Sequence, residues 1–465
     1  MGRLTRLISV CGAAAGVAGA ACAQSVGPDV IVGDLHEMAY LGTVNGVLGY
    51  SVGTVSCNVG TAGVIWIENS PQHPVIAQNL YRLSGGRLEQ IGASWVKHAY
   101  GAINDSHCAP CQPGGSWQML GVGCSDPYNA ALNSGQMRLG PRSDVNATTG
   151  AFPYPYTVGF QQTGDPVYKR IQVAAADVQT PGALYFAEGQ YITADEAQAG
   201  NGRNNASYRR VTFAGSPPQP TLAEETAREL PAIFAWRDHG LGVGVPDPGV
   251  TIGAAEYVEQ GLSARFWVGA KVTALGGGVW RYEYAVFNLN SHRAGASLAV
   301  PLAGGVSVSN LSWRGGGGSH SGEPYSGAPW VMGVGAGRVE FACAETFAAN
   351  PNGNAVRWGT MDNFRFDANV GPGVARVQIG LFRPGAAGEA GFASVELPAP
   401  GTGPCYANCD NSTAAPTLNV ADFGCFLTRY AAGDAYANCD GSTAAPALNV
   451  GDFGCFLQRY AAGCP

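Results

Sequence analysis

The strongest constraint in this chain is a rhythm. Short apolar runs that alternate at period two are cut off, again and again, by words rich in glycine, proline, asparagine or aspartate. ARFWVGAKVTA, VWRYEYAVFNLN, SLAVPL, GVSVSNLSW, RVEFAC, NFRFDANV and ARVQIGLF follow one another from residue 264 at intervals of about ten residues. Side chains alternate faces along a strand, so Trp280, Tyr282, Tyr284 and Val286 fall on one side of theirs. Upstream, HPVIAQNLYRL and RLEQIGASWVKHAY flank the turn residues SGG and read as a hairpin.

Composition agrees. Charged residues are 13% of the chain, against about 25% in ordinary globular domains, and the 68 glycines are about twice the usual share. Such a chain favours many short strands and turns over helices. The expected class is mainly β: one or two sandwich-like domains, the second immunoglobulin-like, without the Cys...Trp...Cys signature of antibody domains. One short helix, broken near Pro231, is expected in TLAEETARELPAIFAW.

Arg3 and Arg6 precede an apolar run from Leu7 to Ala21 and the small triplet Ala21-Cys22-Ala23, which is the pattern of a secretory signal cleaved after Ala23. A lipoprotein cysteine at Cys22 is disfavoured because Gly19 stands where a large aliphatic residue is usual. No later run is long enough to span a bilayer, so the expected location is secreted or cell-surface, with no transmembrane segment. A net charge of -7, with lysine only at 97, 169 and 271, leaves no footprint for nucleic acid. Proline-rich breaks divide the chain into a signal (1-23), a β-rich domain (24-215), a linker (216-220), a sandwich (221-397), a second linker (398-404) and a C-terminal unit (405-465), the alternative being that the first break is only a loop within one large β unit.

Eleven cysteines remain after the signal. In an exported chain they are bridges first, and an odd count leaves one thiol, here assigned to Cys343. His98, His107, Cys108, Cys111 and Cys124 admit a zinc or redox reading, but with Cys57 the body cysteines also make two disulfides. His320, Glu323, Asp238, His239 and Asp362 lie in glycine-rich stretches, where acid-base groups often sit and where turn formers are commoner still. No catalytic residue is assigned. Trp267, Trp280, Trp313, Trp330 and Trp358 fit a strand core better than a sugar-binding face.

The C-terminal unit is two near-identical thirty-residue copies, Tyr406 to Ala435 and Tyr436 to Pro465. Oxygen-bearing side chains come at alternate positions and then three apart before an apolar-periodic helix. They are Asn408, Asp410, Ser412, Asn419 and Asp422 in the first copy, and Asn438, Asp440, Ser442, Asn449 and Asp452 in the second. That is how a loop delivers oxygens to Ca2+, although the span from first to last is 14 residues instead of the 11 of a twelve-position loop. The helices should present Val420, Phe423, Leu427 and Tyr430, and Val450, Phe453, Leu457 and Tyr460, as one apolar face each.

With NCDGSTAAPALNVGDFGCFLQRYAAG the unit resembles the cysteine-bearing kind of dockerin, a tandem calcium-binding repeat that docks on cohesins. The resemblance implies calcium as cofactor and a cohesin-like or other surface protein as partner. Val420-Ala421 and Val450-Gly451 replace the Ser-Thr pair often found where a dockerin meets its cohesin. The favoured pairing is Cys405 with Cys464, and Cys409, Cys425, Cys439 and Cys455 bridging loop to helix; disulfides alone are the competing way to hold these loops. The body resembles uncharacterised modules of exported bacterial proteins, through SWVKHAYGA, LGVGCSDPYNAALN, YEYAVFNLNSHRAG and NPNGNAVRWGTMDNFRFDA. The expected function is a non-catalytic surface or matrix protein held by its C-terminal unit. The alternative is a polysaccharide hydrolase carrying the same unit.

Overall fold

A computed structural model describes residues 25-315, 322-401, 406-410, 412, 416, 418-439, 442 and 446-462. The expected signal, His320, Cys405, Asp440 and Cys464 lie outside the described residues.

The chain is mainly β. The first unit is built from β1 (Val30–Val44), β2 (Val47–Asn58), β3 (Val64–Ile65), β4 (Val75–Ser84), β5 (Arg87–Ala93), β6 (Val96–His98), β7 (Met119–Leu120), β8 (Ser125–Tyr128), β9 (Leu139–Gly140), β10 (Ile171–Ala174), β11 (Leu184–Ile192), β12 (Ala206–Ala214) and β13 (Gln219–Ala227). Its main sheet runs β1-β2-β10-β5-β4-β11-β12-β13. β1 comes round beside β13, and the Thr226 hydroxyl joins them by donating to Asp34 Oδ1 at 2.6 Å and accepting from Leu35 N at 3.0 Å. The nearly closed barrel encloses Val32, Tyr50, Trp66, Leu80, Ile171 and Tyr191. The expected hairpin is β4 and β5, turned by Gly85 (φ 58°) and Gly86 (φ 75°), a left-handed pair that matches strand twist and suits glycine.

The second unit contains β14 (Val250–Glu259), β15 (Leu262–Gly276), β16 (Val279–Asn288), β17 (Gly295–Pro301), β18 (Val308–Arg314), β19 (Val331–Gly335), β20 (Arg338–Ala342), β21 (Met361–Ala368), β22 (Pro372–Leu381) and β23 (Phe392–Pro400). They form two five-stranded sheets, β14-β15-β16-β21-β18 and β19-β20-β17-β22-β23, packed as a sandwich around Phe266, Tyr284, Phe341, Phe364 and Ile379. Among the described residues, ten strands exceed the expected seven. The additions are β14, β19 and β23, whose glutamates, glycines or prolines blur the alternation that marks the others.

The sheet with β16 is a middle layer, and both its faces are covered. Tyr282, Tyr284 and Val286 face the sandwich core, while Ala285 and Phe287 pack with Tyr81, Leu88, Phe186 and Trp236 of a second core against the barrel. Burial on both sides explains why YEYAVF is almost continuously apolar. Gly269 makes room for this contact, since a Cβ there would lie 2.9 Å from the Trp236 ring.

Three sequence expectations need correction. Residues 216-218 form the turn into β13, whose first residues Gln219 and Pro220 already pair with β12, so 216-220 is a connection within the barrel sheet and not a linker between independent domains. The second expected linker, 398-404, starts inside β23, whose Pro398, Ala399 and Pro400 pair with Val374, Gly373 and Pro372. The helix expected over 221-236 is replaced by β13 and the short α3 (Phe234–Asp238), because pairing with β12 overrides local helical spacing. Two other short helices, α1 (Ala130–Asn133) and α2 (Ala194–Ala199), lie in loops.

Barrel and sandwich are also locked by polar groups. The Arg142 guanidinium donates to Ser94 O (2.6 Å), Gln78 O (2.8 Å), Asn79 Oδ1 (2.9 Å) and, across the junction, Gly359 O (3.0 Å). Arg87 reaches Glu283 at 3.2 Å and Arg314 reaches Glu89 at 3.3 Å. The C-terminal unit adds two longer helices, α4 (Val420–Ala431) and α5 (Val450–Ala462).

Candidate functional site in the C-terminal tandem repeat

Each repeat is a loop that ends in a capped helix. Asn419 sits at the N-cap of α4: its side chain accepts from Ala421 N at 2.8 Å, and Asp422 Oδ2 reaches back to accept from Asn419 N at 2.9 Å. Asn449 and Asp452 repeat the arrangement on α5, at 2.7 and 2.8 Å. This reciprocal box satisfies orphan donors of the first helical turn. Asp422 and Asp452 are fully buried.

The loop before the helix is held by the same kind of contact, side-chain oxygens accepting from backbone donors. Asp422 Oδ1 accepts from Asp410 N at 3.3 Å, and Ser412 N is shared by Asn408 Oδ1 (3.0 Å) and Asp410 Oδ1 (2.9 Å). Asn438 donates to Ser442 O at 2.9 Å in the second loop, while its Oδ1 is buried without a hydrogen-bond partner. Among the described residues no three His, Cys, Asp or Glu side chains cluster. Amide and carboxylate oxygens serving backbone donors in the first loop, and an amide oxygen orphaned and buried in the second, are groups of the kind that suits a hard cation. The cysteines form a second brace, as Cys409–Cys425 and Cys439–Cys455 tie each loop to its helix.

The repeats bury each other about a pseudo-twofold. Phe426 stacks on Phe456 with centroids 4.2 Å apart, and Tyr406 on Tyr436 at 4.7 Å. The two tyrosines exchange hydrogen bonds, Tyr406 OH donating to Tyr436 O at 2.6 Å and Tyr436 OH to Tyr406 O. The expected apolar helix face is thereby split. Phe423, Phe426 and Tyr430, with Phe453, Phe456 and Tyr460, make the core, whereas Val420 and Val450 are each 84% exposed and Leu427 and Leu457 are exposed with them. Seven residues is nearly two full turns, so each Val–Leu pair shares a stripe, continued by Gly424 and Ala431 or by Gly454 and Ala461. The unit therefore shows solvent the same uncharged apolar strip twice.

The other candidates are absorbed by the scaffold. Cys57–Cys108 and Cys111–Cys124 are disulfides, which removes the zinc and redox readings of those cysteines, and Cys343 is a free thiol. His98 is buried, stacked on Tyr156, with Nδ1 2.9 Å from Nε2 of His73; His107 lies 3.9 Å from Asp34. Beside them Lys97 is sealed in, its amine 3.4 Å above the Tyr128 ring, and burial holds its pKa well below the ordinary value. Burial also pushes Asp126 up to about 6.

Glu323 is buried and accepts from Arg142 N at 2.6 Å. Asp362 accepts from Trp313 Nε1 at 2.9 Å, Asp238 from Tyr208 OH at 3.2 Å, and His239 Nδ1 from Gly244 N at 2.9 Å. Glu323, Asp362 and the adjacent pair Asp238-His239 are engaged in three different parts of the fold. GYSVG at 49-53 spells the nucleophile pattern G-x-S-x-G, but it lies inside β2 and not at a strand-to-helix turn, and Ser51 is buried against Gln78. Trp330 and Trp358 are buried; Trp267, Trp280 and Trp313 are half-buried against the cores. No helix of the described residues is long and apolar enough to cross a membrane. In comparison with known proteins, the chain matches no family model and no curated sequence.

Proposed function

We propose that this is an exported, non-catalytic surface or matrix protein whose β body is anchored or assembled through the C-terminal tandem repeat. The observation that carries the reading is the duplicated strip, Val420–Leu427 and Val450–Leu457, left exposed on a unit that is otherwise capped, cross-linked and packed. Exposed apolar surface is costly to keep in a small unit with so little core, and it marks a place where another protein docks. Two equivalent strips let one partner bind either repeat, or two partners bind at once. The partner that fits is a folded surface protein with an apolar cleft, cohesin-like in role.

Ca2+ belongs to this proposal. It would be held by Asn408, Asp410, Ser412, Asn419 and Asp422 in one loop, and by Asn438, Asp440, Ser442, Asn449 and Asp452 in the other, and would neutralise the acidic loops. The polysaccharide-hydrolase alternative gains no support from the acids chosen for it, which serve as acceptors for backbone, tryptophan and tyrosine donors.

The test is retention of the full chain on envelope fractions of the source cells. Wild type should be retained and V420E/L427E/V450E/L457E released. Equal retention of both would overturn the docking role.

A further inference from the structure

An edge strand leaves alternate N–H and C=O groups unpaired, so a sheet edge recruits other strands unless charge, proline or a neighbouring element guards it. Of the four edges of the sandwich, three are guarded. β14 carries Glu256 and Glu259 and packs beside β23, which carries Glu396, Pro398 and Pro400; β18 ends on Arg314. β19 is different. VMGVG has neither charge nor proline, and among the described residues it pairs only with β20. All five residues are exposed, Val331 at 60%.

The register shows what the strand offers. Met332 lies opposite Phe341 and Val334 opposite Val339, both fully buried, so the two β19 side chains overhang the rim of the sandwich core. On the other face Gly333 and Gly335 lie opposite Glu340 and Arg338, whose charges pair with each other at 2.9 Å. The edge is thus apolar on one face and electrically neutral on the other.

We infer that β19 pairs antiparallel with β19 of a second copy of this chain, about a two-fold axis through Gly333. Identical surfaces meet in closed form only when self-complementary, and this strand meets that condition. On the axis, where any side chain would confront itself, stands a glycine with open space around it. One step out, Met332 faces Val334 of the copy; two steps out, Val331 faces Gly335, large against small each time. The four inward side chains close into one apolar cluster that joins the two sandwich cores, and the two five-stranded sheets become one of ten. A foreign extended peptide could form the same hydrogen bonds, but nothing in β19 selects its side chains. Self-pairing uses every position of the strand.

A contact of five residues buries well under the roughly 1,200 Å² of a stable interface, so the free chain should dimerise weakly. Copies held close by the C-terminal repeat would populate it far more, by raising local concentration. That consequence rests on the docking role, while the pairing itself does not.

The test is cysteine cross-linking of the full chain in a Cys343→Ser background, with sedimentation velocity alongside. Gly333→Cys places both thiols on the axis, at the Cα spacing of neighbouring strands, whereas Val331→Cys places them roughly 13 Å apart at about 3.3 Å per residue. Disulfide-linked dimer from Gly333→Cys should exceed that from Val331→Cys at least about tenfold, because Cα atoms more than about 7 Å apart are not bridged. Met332→Lys/Val334→Lys should abolish the concentration-dependent dimer of the otherwise native chain. Equal cross-linking at the two positions, or a dimer that survives the lysines, would overturn the assignment. So would a chain that binds extended peptides there and never itself.

Discussion

Asp422 and Asp452 close helix-capping boxes, a role that looks in a sequence like another. A carboxylate three residues after an asparagine reads as a late calcium ligand, and it is equally the closing residue of a helix-capping box. Position was legible; role was not, because cations and orphan N–H groups both seek oxygen at a helix N-terminus. Asp422→Ala should destabilise the repeat by about 1-3 kcal/mol without any metal, since two backbone donors lose a buried acceptor. The urea midpoint in chelator reads this, and an unchanged midpoint would refute the capping role. The His73–His98 pair was hidden for another reason: the two are 25 residues apart and become neighbours only when β6 pairs with the start of β4. Burial lowers His73 to about 4 and His98 well below its ordinary value. The unfolded chain therefore takes up protons first as pH falls below about 6.5, and the pair's contribution, whole above that, is lost progressively toward pH 4. His73→Gln/His98→Gln should accordingly lie below wild type in Tm at pH 7, with a gap that narrows by pH 4.5. A constant gap would contradict neutral burial.

At the scale of elements, hairpins with glycine turns and strong alternation were readable, as β4–β5 and β15–β16 show. Elements that depend on tertiary partners were not. β13 follows a helical pattern yet is held by β12, and the apolar stripe of α4 and α5 conceals which of its residues meet the twin repeat. Phe426 and Phe456, the centre of that core, were outside the expected face, because a stripe read from one helix cannot show the angle of the helix across from it. Each loop-to-helix disulfide spans 16 residues, and closing a loop of that length contributes about 3 kcal/mol. Cys439→Ser/Cys455→Ser should lose that much in urea and become the variant most dependent on Ca2+. Under oxidising conditions Ca2+ should raise the Tm of the C-terminal transition in wild type too. No shift with chelator would sink the metal and leave the disulfides as the sole brace.

The whole molecule is a β body with a small twinned unit after it, and the body does not divide where its prolines suggest. The Arg142 fan and the Arg87–Glu283 pair cross from barrel to sandwich, and their partners lie up to 217 residues apart in sequence, beyond the reach of any local pattern. Removing Arg142 strands several buried acceptors, so Arg142→Ala should cost about 3-5 kcal/mol and lower one shared body transition in calorimetry. Two separate body transitions, only one of them shifted, would contradict the joint. With the body as a support, the twin strips are proposed to dock it. The most direct measurement is binding of the full chain to source-cell envelope with one strip altered and then both. Leu427→Glu/Val420→Glu alone, and Leu457→Glu/Val450→Glu alone, should each retain binding through the intact repeat, and the four together should abolish it while the Tm of the repeat holds. Binding that survives all four changes, or is lost fully with either pair, would contradict the account.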